Sequence, residues 1–319
     1  MDLARFCAAS RVVIVAGKGG VGKTAVTAAL GAAAARADMS VLVLEVEGKS
    51  GLARAFDAPA LTYDEQELRP NLRGRLLTAD RAMTDYLDSH GLKRIARRMA
   101  ASGVVDVVAT AVPGMRDILI LGKVKQLEEA RTADLLIIDA PAAGHAVSFL
   151  LSPSGLLDAV RGGPIRKQAE DVVAMLTDHG RCRVILVTRP EETPVNELVE
   201  TAYALEDRAG VSLGPVIVNA CTAPVPGFEA GYDPATVADD AARHGMAVSV
   251  ATSRALAAAV AGSRDEAQRH DAQCRRLEQQ LPLPQIRLPR LPASALGSRE
   301  IDVLADALVC GVEQLDESP

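Results

Sequence analysis

The sequence predicts an α/β fold: a doubly wound, mostly parallel sheet with an α-helical insertion. Three observations carry that expectation. Short runs of Val, Ile and Leu recur without polar alternation, as strands covered on both faces do. Alanine-rich stretches of helical length lie between them. The first run feeds a glycine-rich loop that opens a helix, the kind of junction where doubly wound sheets gather ligands.

Taken in order, the strand candidates are Arg11–Ala16 (RVVIVA), Val41–Val46 (VLVLEV), Leu135–Asp139 (LLIID), Arg183–Thr188 (RVILVT) and Pro215–Asn219 (PVIVN). Ala25–Arg36 and Val195–Ala209 read as helices between them. The gap between the second and third runs is too long for a plain crossover, and residues 79–130 read as amphipathic helices broken at Val112-Pro113-Gly114. A second helical or loop-like insertion is expected at 222–262. The proline-rich Leu281–Pro292 (LPLPQIRLPRLP) reads as an extended loop or edge strand. The organisation expected is one domain over residues 1–319, carrying both insertions.

Composition narrows the function classes. The 319 residues are 49% hydrophobic and 24% charged, which excludes disordered and collagen-like chains. A net charge of −6 and the absence of Trp argue against nucleic acid as a partner. The five cysteines, Cys7, Cys182, Cys221, Cys274 and Cys310, are an odd number with no Cys-x-x-Cys. That pattern suits a reducing compartment rather than a disulfide scaffold. No apolar run reaches the ~18 residues of a membrane span, and the N-terminal stretch does not have the form of a signal peptide. A cytoplasmic location is the expectation.

Gly17–Thr24 reads GKGGVGKT and fits G-x-x-x-x-G-K-[ST], the phosphate loop of P-loop NTPases. Glycines let backbone N–H groups and a helix N-terminus face phosphate oxygens. Gly17, Lys18, Gly19, Gly20, Val21, Gly22, Lys23, Thr24 and Ala25 are therefore the expected nucleotide cradle. Lys23 is placed on the β- and γ-phosphates of ATP, and the Thr24 hydroxyl on Mg²⁺. Asp139, closing the run LLIID, is the Walker B candidate for the same metal. After the fourth run, Thr188-Arg189-Pro190-Glu191 has neither the Lys nor the Asp of a guanine reader, so ATP is favoured over GTP.

Lys18, directly after the first glycine, makes the loop K-G-G-x-G-K-[ST]. This form resembles the deviant phosphate loop of dimeric ATPases that include partitioning and septum-site proteins, the nitrogenase iron protein, and the arsenical-pump/tail-anchored-protein-targeting group. The resemblance implies that Lys18 acts across a dimer interface on the partner's nucleotide. Asp139-Ala-Pro-Ala-Ala-Gly144-His145 with the following Phe149-Leu150 and Pro153 is similar to switch II of the arsenical-pump/targeting branch, although two family threonines are replaced by Ala140 and Ala143. Gly144 is thereby the expected γ-phosphate sensor. Aligning Ala55-Phe56 on the family pattern puts Glu47 where that branch has its water-activating aspartate. By its residue type alone, Glu47 is also readable as a solvated loop carboxylate. Glu45 reads as a structural acceptor or distal ligand.

The segment Thr188-Arg189-Pro190-Glu191 through Asn196-Glu197 resembles the family's P-E segment. Asn219 falls on the asparagine that reads adenine; a buried structural amide is the alternative. Pro289 falls on the closing adenine loop. The resemblance implies a MgATP-hydrolysing dimer, homomeric or paired with a paralogous ATPase, coupled to a hydrophobic client or membrane protein. Several residues depart from the relatives. No trio of cysteines for a metalloid is evident, and Met83, Met99, Met115 and Met175 are sparse for a client groove. Lys93-Arg94-Ile95-Ala96-Arg97-Arg98 presents cations on one helical face, either solvated or meeting a partner. Two other classes stay open: a partitioning or septum-site ATPase, which the acidic Gly311–Pro319 disfavours, and a monomeric small-molecule kinase, which would have no need of Lys18.

Overall fold

The computed structural model describes residues 2–46, 51–89, 91, 114–141, 144–224, 233–293 and 295–315. Among the described residues eight strands form one sheet: β1 (Val12–Gly17), β2 (Val41–Val46), β3 (Gln66–Arg69), β4 (Leu72–Leu77), β5 (Leu135–Asp139), β6 (Cys182–Thr188), β7 (Val216–Cys221) and β8 (Gln285–Pro289). Their order is β3-β4-β2-β5-β1-β6-β7-β8. All neighbours are parallel except the antiparallel pair β3–β4. Every residue of β1, β2 and β5 is buried, which is why these strands read as unbroken apolar runs.

Two helical layers cover the sheet. One contains α1 (Leu3–Ala8), α2 (Lys23–Arg36), α3 (Gly51–Ala55) and, from the C-terminal region, the helix Ser298–Gln314; it packs on Val13, Val15, Val43 and Ile137. The other covers Val12, Ile14, Leu136 and Ile138, which point the opposite way. It contains four helices numbered after α4 (Ala79–Ser89): α5 (Met115–Glu129), α6 (Gly144–Ala159), α7 (Pro164–Thr177) and α8 (Glu192–Ala209). The 31-residue helix α10 (Val250–Gln280), preceded by α9 (Pro234–Arg243), joins this layer through Cys274 and Leu277. The helix Ser298–Gln314 is α11.

The hairpin β3–β4 has no counterpart in the sequence expectation. Its pattern is masked because Arg73, Gly74 and Arg75 interrupt the apolar positions of β4. Tertiary contacts make those charges tolerable. Arg73 donates to Glu65 and to the Thr132 carbonyl, and the Arg75 guanidinium lies 4.5 Å from the centroid of the Tyr63 ring. The stretch 79–130 contains α4 and α5, with Ala79 and Ala82 packing on Met115 and Leu119. The boundary expected at 262 falls inside α10, which runs on to Gln280. Leu281–Pro292 contains the edge strand β8, parallel to β7. The basic run 93–98, Met99 and Val112-Pro113 lie outside the described residues. Among the described residues no helix is long and apolar enough to cross a membrane.

Candidate functional site

The carboxyl ends of β1, β5 and β7 converge on the loop Gly17–Thr24. Parallel strands all finish on one side, so their last residues are neighbours although far apart in sequence: Val15 is in register with Asp139. Two glycines are required by contact. A Cβ on Gly17 would lie 2.3 Å from the Val187 carbonyl oxygen, and one on Gly22 would lie 2.1 Å from Asn219 Nδ2. Gly22 is the N-cap of α2 with φ +94°, and no side chain caps the helix there. Lys23, Thr24 and Ala25 are thus the first helical residues, and their N–H groups lack i−4 acceptors within the helix. An anion is the natural acceptor.

The Thr24 hydroxyl donates to Asp139 Oδ2 at 2.6 Å. Both residues come from buried elements, and Asp139 itself is buried. Two hard oxygens held together between a phosphate loop and a strand end fit a magnesium ion, which takes carboxylate and hydroxyl oxygens alongside substrate phosphates. Lys23 is buried, and its ammonium donates to the Lys18 carbonyl oxygen at 3.2 Å, across the loop. Val21 is buried, and its carbonyl accepts from Asn219 Nδ2 at 2.9 Å. In this arrangement one N–H of the Asn219 amide holds the loop, and its second N–H and its oxygen remain for other work.

Lys18 does not fold back on its own loop. Its ammonium pairs with the carboxylate of Glu197 on α8, and the side chains are 49% and 29% exposed. The sequence signal for this partner is Glu197 at the end of the P-E segment, but nothing in one dimension joins it to Lys18. Glu45 is buried in β2, in register with Asp139, and accepts from the Leu52 N–H at 3.3 Å; that is the structural-acceptor role. Gly144 is the first residue of α6. Glu47 lies outside the described residues.

Pro289 ends β8 and lines a cavity of about 530 Å³ together with Cys221, Thr222, His270, Cys274 and Arg287. The sequence showed no cysteine cluster; the structure brings Cys221 and Cys274 to the same cavity as neighbours, with the Cys221 thiol donating to the Val218 carbonyl at 3.3 Å. His270 is buried, its Nδ1 accepts from the Thr222 N–H at 3.1 Å, and burial lowers its pKa.

A profile of the anion-transporting ATPase family matches residues 10–161, which include the phosphate loop, β2, β5 and α6. The chain is 36% identical to the ATPase BagA of Mycobacterium tuberculosis over 223 residues, 66% of this chain and 64% of that protein. It is 28% identical to the ATPase get3 of Neurospora crassa over 155 residues, 47% of this chain and 45% of that one. A candidate arsenical pump-driving ATPase of Halobacterium salinarum is 24% identical over 66% of this chain and 35% of its own length. The matched region therefore spans less than two thirds of each of these relatives. Over residues 10–161 the chain is therefore similar to the anion-transporting ATPase family, a similarity that takes in the phosphate-loop motif and extends to these relatives.

Proposed function

We propose that this protein is a MgATP-hydrolysing ATPase of the arsenical-pump/targeting type, working as a nucleotide-gated dimer. The observation that carries the reading is the Thr24–Asp139 hydrogen bond at the mouth of a glycine loop opening α2. Thr24 and Asp139 would hold Mg²⁺, which when bound neutralises charge on the transferring phosphoryl group. The N–H groups at the start of α2 receive the phosphates, and Lys23 supplies the fixed positive charge beside them. Asn219 keeps the loop in shape through Val21. Glu47 is the proposed group that orients the attacking water, and Gly144 the proposed sensor of the γ-phosphate.

Lys18 is proposed to act in trans. Its pairing with Glu197 supports that role, since a half-exposed ion pair contributes little and yields readily to a polyphosphate. Dimerisation with itself or with a paralogue would bring it to the partner's nucleotide. Closure then reaches the helices after β4, where a hydrophobic client or membrane protein would be engaged. The test compares ATP hydrolysis and ATP-dependent dimerisation in wild type, Lys18→Ala and Lys23→Ala. Lys23→Ala should lose hydrolysis by at least ~100-fold, and Lys18→Ala should lose both hydrolysis and dimer. Normal turnover by a monomeric Lys18→Ala protein would sink the dimeric reading.

A further inference from the structure

Strand β7 departs from regular alternation just past Asn219. Val218 points into the layer containing α8 and α10, while Ile217 points to the layer containing α2 and Asn219 reaches Val21. Strict alternation would send residue 221 to the side of Ile217 and Asn219. Instead Ala220 takes φ +59°, the register with β8 shifts between Val218 and Cys221, and Cys221 packs on the Val218 side. A non-glycine residue adopts that backbone only at a cost, and such bulges serve to re-aim a side chain.

What Cys221 is aimed at is Cys274. His270 and Cys274 are four residues apart on α10 and share a face. His270 holds the Thr222 N–H, and Cys274 meets the Cys221 thiol, so adjacent residues of β7 and its exit are clamped to one helix turn. Arg287, from β8, borders the same cavity and is held by Asp271 and Glu278 at 3.1 and 3.3 Å. The neighbouring Cys221 thiol lowers the Cys274 pKa, burial opposes this, and the Arg287 charge adds to the lowering. The closeness of the two thiols, with burial, raises Cys221. One thiol is thus the better nucleophile and the other its neighbour.

We propose that Cys221 and Cys274 form a redox site: a small peroxide entering this cavity converts them to an intrachain disulfide, and that bond loosens the phosphate loop through Asn219. The second half rests on the nucleotide-binding reading above. The Cys274 thiolate attacks a peroxide oxygen, the O–O bond breaks, and the departing hydroxide takes up a proton as water. Cys221 then loses its proton and attacks the sulfenyl sulfur. The S–O bond breaks and hydroxide leaves, protonated as a second water. Two thiols are oxidised by two electrons and hydrogen peroxide is reduced to two waters. A disulfide holds its sulfurs at about 2.05 Å, closer than any non-bonded contact of two thiols. The pull on Cys221 passes through Ala220 to Asn219, whose bond to Val21 is the soft link.

The experiment treats the full-length protein with hydrogen peroxide, digests it without reduction and maps linked peptides by mass spectrometry. A fluorescent ATP analogue reports affinity before and after treatment. The expected result is a Cys221–Cys274 linked pair at monomer mass, reversed by dithiothreitol and absent in Cys274→Ser and Cys221→Ser. Affinity should fall about two- to tenfold on oxidation, the equivalent of one hydrogen bond, and should not respond to peroxide in either variant. Oxidation of the exposed Cys310 with no linked pair overturns the site. A linked pair with unchanged affinity overturns its coupling to the loop. Failure of the reduced protein to bind the analogue overturns that coupling together with the nucleotide reading, while the linked peptides still judge the disulfide alone.

Discussion

Gly22 faces the amide of Asn219, and the pair shows how little room the phosphate loop leaves. An added Cβ would sit 2.1 Å from Asn219 Nδ2, at a φ of +94° that L residues avoid. Gly22→Ala must therefore displace the amide that holds the Val21 carbonyl. We expect a loss of ~1–3 kcal/mol in unfolding free energy, from strain and the broken hydrogen bond, with nucleotide binding lost. Chemical denaturation and titration calorimetry measure the two separately. Retained affinity in Gly22→Ala would show that the Asn219–Val21 bond is dispensable. At this scale the motif was legible, because glycines, lysine and threonine at fixed spacing follow from the chemistry of phosphate. The partner of Lys18 was not. The Glu197 carboxylate is 179 positions away, and only the parallel sheet sets α8 beside the loop.

At the scale of elements, α4 and α5 are tied by a polar contact as well as an apolar one. Asp85 on α4 accepts from the Tyr63 hydroxyl at 2.7 Å and pairs with Lys123 on α5. Burial pushes the Asp85 carboxyl up, but the hydrogen bonds from Lys123 and Tyr63 outweigh it, and the pKa falls below the ordinary 3.8. A carboxyl lowered in the native state binds fewer protons there than in the unfolded chain. Its stabilisation is complete above the unfolded value and disappears as pH falls through the lower native one. Unfolding free energy measured from pH 6 down to pH 2 should fall more steeply in wild type than in Asp85→Asn. Parallel curves would show that this contact does not tie the helices. Of the two helices, α4 is amphipathic as the sequence expects, whereas α5 is apolar on most of its faces and buried. The β3–β4 hairpin beside them was not legible, since its arginines become acceptable only once Tyr63, Glu65 and the Thr132 carbonyl are in place.

For the whole molecule the relevant quantity is the balance between one chain and two. The Lys18–Glu197 pair satisfies within a single chain the charge that the proposed dimer needs elsewhere. Being partly solvated, it contributes at most ~1 kcal/mol. Glu197→Gln frees Lys18, so dimer formation with a non-hydrolysable ATP analogue should occur at about two- to fivefold lower protein concentration. Sedimentation velocity reads this directly, and the melting temperature should barely move. An unchanged dimerisation threshold would remove Glu197 from the switch.

The sequence by itself determined the fold class, the central strands and the position of the phosphate loop. Buried parallel strands and phosphate-binding loops impose local patterns, which one dimension records. Only the tertiary structure decided that Asn219 holds Val21, that Lys18 rests on Glu197, and that the hairpin β3–β4 extends the sheet. It also brought Cys221 and Cys274, two of five scattered cysteines, into one cavity. Each of these depends on side chains from remote segments meeting across the sheet. Such meetings follow from strand order and from a backbone irregularity at Ala220, neither of which leaves a periodic trace in the chain.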